Sequence, residues 1–593
     1  MDNSQPIKSV FRATALISVM TLVGACGGES DVPRRVEREA AKLQAIAISP
    51  DEPSPLDTQF RLDDGEEIDV DALFSLLPED FRPIFDTATF DDDLGATVLT
   101  HVRLPAAVFR GEGAVSYDLE FDGLRIDRLE LYGVDAGSLE QVLSSDASVE
   151  APMRRLLTKL RAYGVSGPAL HDLSDDGRRG SNDDDLKTAI GALEIAGLSV
   201  RKGGFPPLSE DAEENGVGLA RFLHAFAIDG FFFKDVQSTS VEETDDGVPL
   251  FETNLPDVRL VGLSGGKLDG FVLNDFSSIT RRESAGGNDL QSVGGMLAPL
   301  AESITGPLSE AISSDESKFA IDRVEWRGID FSRLLPFTLE GAVPPTDQRD
   351  LIELGQGSIK NATTFIDGKL FSSTPEVAFE EFGFTWLAPS KIRVNTEDVF
   401  YDFTVLFEEG SEEEALLKDL ALNGVKGDGS VTYDWNPASG VATFDAVSAA
   451  PSFASSTVSF SLSNMVLDDL DEAEASVDGA DALYADAALD GFKVELIDET
   501  ALDALFGLIG IESGNGASAR GGFTALLRIA GMQVGFAEPS YGTYVNRFAD
   551  FLQNGGTFTI EAKPDAPVPL ADLEALEGID QLNALNLTVN HID

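Results

Sequence analysis

Apolar and polar positions alternate through much of the chain, and this period of two predicts β-strands. One apolar face per strand is typical of an antiparallel sheet with one covered face. The clearest hairpin turn is Asn-Pro-Ala-Ser-Gly at residues 436–440, because Asn-Pro opens a turn and Gly tolerates the left-handed conformation that closes it. The alternating segments are residues 119–131 with a change of phase at Gly123, 394–407, 430–435, 441–444 and 455–462.

A second pattern, with apolar residues three and four apart, predicts helices between the strands. Residues 149–163 place an apolar stripe from Met153 to Leu160, and the acids at 183–185 precede Leu186, Ile190 and Leu193 as at a helix start. Together these patterns predict an α+β, β-rich fold, a long antiparallel meander or curved sheet decorated by helical insertions. The other predicted elements are helices at 218–226, 290–312, 502–511, 541–552 and 570–576, and strands at 557–561 and 585–589.

Four Asp-Gly pairs, each flanked by apolar residues, interrupt the alternating runs. Asp-Gly readily takes positive φ angles, so each pair predicts a tight hairpin or a bulge rather than a repeated ligand-binding loop. No period of 20 to 50 residues repeats cleanly, which argues against a solenoid or propeller. The pairs are Asp122-Gly123, Asp229-Gly230, Asp269-Gly270 and Asp490-Gly491.

The composition narrows the function classes. The 593 residues carry 103 Asp and Glu against 43 Lys and Arg, a formal net charge of −60, yet 43% of the residues are hydrophobic, which is too many for a disordered chain. Such acidity argues against nucleic-acid binding and against docking on anionic lipid through a basic patch. A single cysteine excludes a disulfide framework and a cysteine-built metal site.

The amino terminus has the pattern of an export signal. Lys8 and Arg12 precede an uncharged apolar run at residues 13–23, which suits a secretory signal and is too short to span a bilayer. The run ends in Val23-Gly24-Ala25-Cys26, which resembles the lipobox of bacterial lipoproteins. The resemblance implies cleavage before Cys26 and acylation of its thiol and new amine, so that acyl chains anchor the protein in a membrane. An ordinary signal peptide with a cysteine nearby is the alternative.

These features predict four regions: a signal peptide at 1–25, a lipid anchor and flexible tether at 26–60, an amino-terminal β-rich unit with helical insertions at 61–345, and a carboxyl-terminal β-rich unit at 346–593. In the sorting pattern of the lipoproteins, Gly27 after the cysteine favours the outer membrane, facing the periplasm. No later stretch has the length of uncharged apolar sequence that a spanning helix needs.

One sequence string matches serine hydrolases. Gly262-Leu263-Ser264-Gly265-Gly266 fits G-x-S-x-G, which requires a strand before the serine and a helix after it. Residues 267–273 have a strand pattern instead, and only His591 follows as a base. A hairpin turn is therefore the favoured interpretation of Ser264, with catalysis as the alternative.

Weak metal-site candidates lie between residues 172 and 183. Asp172, Ser174, Asp176 and Asp183 roughly follow the spacing of a calcium loop, but serine at the third position, the missing glutamate and two arginines inside the loop favour a solvated connection. Four scattered histidines do not form a zinc motif. We therefore expect no cofactor.

Phe231, Phe232 and Phe233 form an unusual aromatic run. Because successive side chains of a strand alternate between faces, either the strand is buried on both faces or the run contributes to an apolar wall that receives a lipid tail. The carboxyl-terminal part of the chain, including residues 431–444, resembles the AsmA-like envelope proteins of proteobacteria. That resemblance implies a curved sheet whose apolar face shelters acyl chains.

The sequence thus supports three hypotheses. The first is a membrane-tethered, non-enzymatic envelope lipoprotein that binds or shields lipid, another apolar ligand or an envelope partner. The second is a structural or assembly lipoprotein without a small ligand. The third is an envelope hydrolase that uses Ser264 or two carboxylates.

Overall fold

A computed structural model defines the β-rich α+β fold, and the predicted fold class is confirmed. The structure describes residues 67–77, 82–104, 107–111, 117–121, 123–143, 152–167, 170–173, 186–201, 223–240, 248–281, 316–470, 482–513, 516–537, 539–575 and 579–593. Cys26, the signal segment and the tether lie outside these residues, so the predictions made for them stay predictions.

The described strands form one antiparallel sheet. Its first twelve strands are β1 (Thr87–Asp91), β2 (Ala96–Leu104), β3 (Ala107–Gly111), β4 (Tyr117–Phe121), β5 (Leu124–Val134), β6 (Met153–Ser166), β7 (Leu170–Leu173), β8 (Leu186–Arg201), β9 (Phe226–Ser240), β10 (Phe251–Ser264), β11 (Lys267–Arg281) and β12 (Glu316–Asp330). The others are β13 (Gln356–Ile366), β14 (Lys369–Thr385), β15 (Ala388–Tyr401), β16 (Val425–Asn436), β17 (Val441–Ala450), β18 (Ala454–Ser463), β19 (Ala488–Asp498), β20 (Gly556–Ala562), β21 (Val568–Pro569) and β22 (Leu587–Ile592).

Helices occupy the connections between strands, and most of the longer ones come near the carboxyl terminus. They are α1 (Val70–Ser75), α2 (Ala136–Leu143), α3 (Leu335–Glu340), α4 (Glu412–Asp419), α5 (Ala482–Ala485), α6 (Ala501–Ser513), α7 (Gly516–Ala537), α8 (Pro539–Asn554), α9 (Leu570–Ala575) and α10 (Ile579–Ala584). Two 3₁₀ turns, Phe403–Leu406 and Leu467–Asp469, complete the described elements.

The sheet is a meander that does not close. From β8 to β20, each described strand of the main run pairs with the next one along the chain, and β1 and β22 lie at the two ends. The predicted unit boundary at residue 345 falls between β12 and β13, which pair antiparallel from Arg327 opposite Gln356 to Ser317 opposite Ile366. One sheet therefore contains strands from both sides of that boundary.

Two predicted helices are wrong. Residues 153–166 and 186–201 form the strands β6 and β8, although their apolar residues have helical spacing. The helix predicted at 218–226 ends in β9 at Phe226, and its first residues lie outside the described residues, as does the segment 290–312.

The other predicted elements agree with the structure. Residues 430–444 form the hairpin of β16 and β17, with Tyr433 opposite Phe444, and the segment at 455–462 is β18. The helices predicted at 502–511, 541–552 and 570–576 are α6, α8 and α9. The segment 394–407 is a strand only as far as Tyr401 and then turns into a 3₁₀ helix.

The two strand errors lie at bends that cross the sheet along two lines, the first of which we call bend line A. On each strand from β2 to β15 in the main run, the ladder skips one or two pairs without a change of register, and alternate strands take a positive φ there, as at Asp235 (φ 53°) and Asp275 (φ 55°). The facing positions, in order across the sheet, are His101, Asp127, Gly164, Gly191, Asp235, Pro256, Asp275, Asp322, Asn361, Pro375 and Asp398.

A second line, bend line B, runs six residues away from the first on each strand from β5 to β13. Its glycines take positive φ, and at Gly197 and Gly262 a facing aspartate also occupies the space that a side chain would need: a Cβ on Gly262 would lie 2.1 Å from Oδ2 of Asp269. Only glycine fits both demands. The facing positions are Gly133, Thr158, Gly197, Asp229, Gly262, Asp269, Gly328 and Gly355.

Two of the four Asp-Gly pairs of the sequence lie on a bend line. Asp229-Gly230 and Asp269-Gly270 lie inside β9 and β11, on bend line B, rather than at hairpins. Asp490-Gly491 lies inside β19 next to a bulge, where Asp490 accepts hydrogen bonds from Ser461 and Ser463. Gly123 takes a positive φ of 100° before β5, and Asp122 lies outside the described residues.

Apolar side chains on both sides of a bend lie in one buried cluster. Leu99 and Val102, on either side of bend line A, belong to one buried cluster, as do Ile126 and Leu129. The bend residue His101 is exposed, and so are Asp235, Asp275, Asp322, Asn361 and Asp398 on the outer side. Because the alternation changes phase at each bend, the apolar face continues across it at a spacing of three residues.

Candidate functional site: an apolar groove

Between the two bend lines, one face of the sheet is lined by partly buried apolar side chains. Between the two bend lines each strand places one or two apolar residues on the same face, since residues opposite each other in register share a face. We call this surface on β9–β14 the apolar groove. Its lining, all of it partly buried, is Phe231, Phe233, Val258, Leu260, Phe271, Leu273, Val324, Trp326, Ile359, Val377 and Phe379.

The aromatic run of the sequence lies in this groove. Phe231 and Phe233 are on the groove face, where their rings meet edge to face with centroids 4.5 Å apart. Phe232 is on the opposite face and is only 5% exposed. The alternation of faces along β9 thus gives two of the three rings to the groove.

The opposite face of β6–β12 carries buried ion pairs beside the buried side chains of Phe232 and Val272. Glu194 and Glu325 are buried, at 6% exposure each, and each is paired with arginine: Arg161 Nε lies 2.6 Å from Glu194, and Arg323 lies 2.7 Å from Glu325. Arg327 also pairs with Glu325. Buried charges persist because each has a partner. The two faces therefore differ in chemistry, with apolar side chains inside the bend and ion pairs outside.

A tyrosine extends this ionic face to β5. Tyr132 is 2% exposed and donates a hydrogen bond of 2.7 Å to Glu130, while the ammonium of Lys159 lies 4.3 Å from the centre of its ring. Burial, and then the hydrogen bond to Glu130, raise the pKa of Tyr132 well above its usual range, so the hydroxyl stays neutral and acts as a donor.

Helices fill the two ends of the apolar face. At the amino-terminal end, Val70 and Leu73 of α1 pack on Leu99, Leu129 and neighbouring side chains. At the carboxyl-terminal end, α6 and α8 pack over β20 through Phe506, Phe551 and Phe558, and Ile560 and Val589 pack against that cluster. Between these ends, a third cluster around Trp386, Trp435 and Met465 covers the part of the sheet beyond β14. The apolar groove is the stretch between the covered parts.

Ser264 is in a hairpin, as the sequence favours. It is the exposed last residue of β10, and Gly265 and Gly266 lead directly into β11, where Lys267 is its ladder partner. The helix that a nucleophile elbow requires does not follow it. His591 lies in β22, opposite Phe558, with its ring nitrogen 2.7 Å from the carbonyl oxygen of Gly555. The structure does not bring these two residues together.

The calcium candidates fall largely outside the described residues. Asp172 is part of β7, opposite Leu119, whereas Ser174, Asp176 and Asp183 are not among the residues described. Within the part of the chain that the structure describes, no three His, Cys, Asp or Glu side chains are arranged to hold a metal ion. In that part, too, no helix has both the length and the hydrophobicity to cross a membrane.

Comparison with known proteins finds a family match in the carboxyl-terminal part of the chain, and this match gives no function. A family model described as "Uncharacterized protein" matches residues 449–591, from the end of β17 to β22, including α6–α8. A search of curated proteins finds no match.

Sequence reasoning missed most of the groove. The groove is marked by a four-residue pattern. The first and last residues are apolar, and the two between them include Asp, Asn, Gly or Pro. The pattern recurs once or twice in each strand from β5 to β13. Examples are Phe233-Lys234-Asp235-Val236 and Leu273-Asn274-Asp275-Phe276. In one strand this pattern looks like a helical period, and only its recurrence in successive strands distinguishes the two.

Proposed function

We propose that the protein is a non-enzymatic cell-envelope lipoprotein whose apolar groove binds the acyl chains of a lipid. The observation that carries the proposal is that the apolar side chains of β9–β14 stay partly exposed on one face while the opposite face carries buried ion pairs. Contact between apolar side chains and water costs free energy, and large exposed apolar patches commonly mark binding sites.

The dimensions support a chain-shaped ligand. Six strands spaced about 4.8 Å apart give the groove a length of roughly 24 Å, and one leaflet of a bilayer holds acyl chains about 15 Å deep. Each methylene buried against the groove contributes about 0.8 kcal/mol, so a single acyl chain binds without any polar contact. In this proposal the acylated Cys26 holds the groove close to the membrane that supplies the lipid.

The test is direct. Native mass spectrometry and solvent extraction of the purified protein should recover bound lipid, and the protein should take up a fluorescent fatty acid. Leu260→Glu, which places a carboxylate in the groove, should reduce uptake at least about tenfold, because an unpaired charge is costly to bury.

The matched control is Val447→Glu. Val447 of β17 lies opposite Ser430 and Thr457 and is 37% exposed, so its replacement by glutamate adds the same charge outside the groove. Uptake by this variant should equal that of the wild type. Repeated lipid-free spectra together with no uptake by the wild type would contradict the lipid proposal and favour the structural or assembly lipoprotein.

The anchor is tested separately. Cys26→Ser should release the chain from the membrane fraction, and the mature protein should begin at Cys26 with added fatty mass. A mature protein that begins elsewhere, or carries no acyl chain, would contradict the lipoprotein proposal even if the groove binds lipid.

A further inference from the structure

The helix α7 presents an apolar face that nothing covers among the described residues. Its exposed side chains recur at three- and four-residue intervals, so they lie along one side of the helix. They are Leu526 at 66%, Ile529 at 48%, Met532 at 57% and Phe536 at 91% exposure. An exposed stripe of this size stands apart from the single exposed apolar residues found on ordinary surfaces.

Packing against α8 fixes which side of the helix faces outward. Gly531 and Gly535 lie against Gly542 of α8 so closely that a Cβ on Gly542 would be 2.8 Å from the carbonyl oxygen of Gly531. Thr524, also on this inner side, is 1% exposed and hydrogen-bonds to Gln553. Since the small residues face α8, the large apolar ones face away from the protein.

The charge of α7 differs from that of the rest of the chain. Its 22 residues contain no Asp or Glu, although about four would be expected at the average frequency of this sequence. Its two arginines are already paired, Arg520 with Asp503 and Arg528 with Asp550, at 2.5 and 3.0 Å. The exposed stripe is therefore uncharged in a protein with a net charge of −60.

These features fit a lipid bilayer as the occupant. A basic protein partner would find no carboxylate on this stripe, whereas the headgroup boundary of a bilayer accepts an amphipathic helix whose apolar side is free of acids. At 1.5 Å per residue the helix is about 33 Å long, and it is not apolar enough to span, so it lies along the surface. We propose that the exposed face of α7 is a membrane-docking surface that inserts into the headgroup–acyl boundary of a phospholipid bilayer.

The position of α7 decides which part of the sheet docking would bring to the bilayer. The helices α6 and α8 pack on β20, and Leu527 of α7 packs against the same cluster. Docking through α7 would therefore place the carboxyl-terminal end of the sheet at the bilayer. The proposal does not depend on lipid in the groove, because a protein with an empty groove could still dock.

Flotation of the full chain with phosphatidylcholine vesicles, with and without anionic lipid, tests the proposal. All variants carry Cys26→Ser, so that acylation contributes nothing and residues 13–23 contribute equally. Leu526→Glu and Phe536→Glu should each lower the vesicle partition coefficient at least about tenfold. Val447→Glu, with the same added charge at an exposed position of β17, should change it less than about twofold.

A second measurement does not depend on charge. In Phe536→Trp, the emission of the new tryptophan, taken as the difference from the parent protein with its three native tryptophans, should shift to shorter wavelength when vesicles are added, because the ring enters an apolar environment. Equal partitioning of all variants with no emission shift would overturn the proposal. So would a parent protein that is dimeric in the absence of lipid and becomes monomeric with Leu526→Glu, since α7 would then be a protein interface.

Discussion

The amino- and carboxyl-terminal halves of the sheet belong to the same meander but differ in how far their apolar face is covered. In the half up to β13, two bend lines shape the face, and its side chains between β9 and β14 stay partly exposed. In the half from β15, Trp386 and Met465 are fully buried, and loops and helices cover much of the face. The same alternating pattern thus forms an open surface between β9 and β14 and packed cores on either side of it.

Two leucines give the sharpest test of this difference. Leu462, in the covered half, is 7% exposed and belongs to the cluster around Trp386, whereas Leu260 lines the groove. Leu462→Ala should lower the free energy of unfolding by about 2–5 kcal/mol, because it leaves a cavity. Leu260→Ala should cost about 1 kcal/mol in the ligand-free protein, because solvent reaches the site. Thermal unfolding of the two variants measures the contrast, and equal losses would mean that the groove is as tightly packed as the core.

The ionic outer face of the bent half should be nearly as sensitive. Glu325→Ala leaves Arg323 and Arg327 without their shared carboxylate on a buried surface, so it should cost about 3 kcal/mol. Glu376→Ala is the control, because Glu376 of β14 is exposed and should change the unfolding temperature little. A small effect of Glu325→Ala would show that this face is hydrated rather than buried.

The bend lines predict a smaller, steric effect. Gly262→Ala should cost about 2 kcal/mol, since its Cβ would meet Asp269 in addition to the cost of a positive φ. Gly368→Ala, in the turn between β13 and β14, has the same sign of φ but open space around its Cβ, so it should cost only about 1 kcal/mol. Asp269→Ala should remove much of the difference in a double variant. Equal costs for the two glycines would contradict the close approach.

The smallest expected effect is a pH dependence at the start of α6. Burial raises the pKa of Asp498, whose carboxylate accepts a hydrogen bond from the amide of Leu502. A carboxyl group whose pKa is raised by folding stabilises the folded protein while it is protonated. This stability is present at acid pH and is lost as the pH rises through the folded-state pKa. Asp498→Asn keeps the acceptor without the charge, so it should be slightly more stable than the wild type at neutral pH and equal to it at acid pH. The reverse trend would show that the carboxylate is stabilised.

Straight strands were predictable, whereas two of the bent strands, β6 and β8, were mistaken for helices for a physical reason. In β16–β18 the alternation runs without interruption, so the hairpin of Tyr433 and Phe444 is readable from local sequence. In β6 and β8 each bend shifts the alternation by one position, which puts apolar residues three apart, as in Leu157 and Leu160. A period of two with a phase shift then imitates a period of 3.6, and the strand is mistaken for a helix.

The candidate site divides in the same way. The aromatic run at Phe231–Phe233 could be recognised, and so could the hairpin at Ser264, because both depend on neighbours in sequence. The groove could not, because its lining comes from six strands whose register decides which side chains share a face. Nor could the exposed face of α7, since the sequence does not show that Gly531 and Gly535 face α8 and leave Phe536 in solvent.

By itself, the sequence determined the β-rich class and the acidity, since both follow from composition and short patterns, and it predicts an acyl anchor at Cys26. The tertiary structure decided where the sheet bends and which part of its apolar face stays open. Those depend on positive-φ positions that line up only when distant strands pair, and on glycines whose freedom matters only once an aspartate of the next strand lies against them.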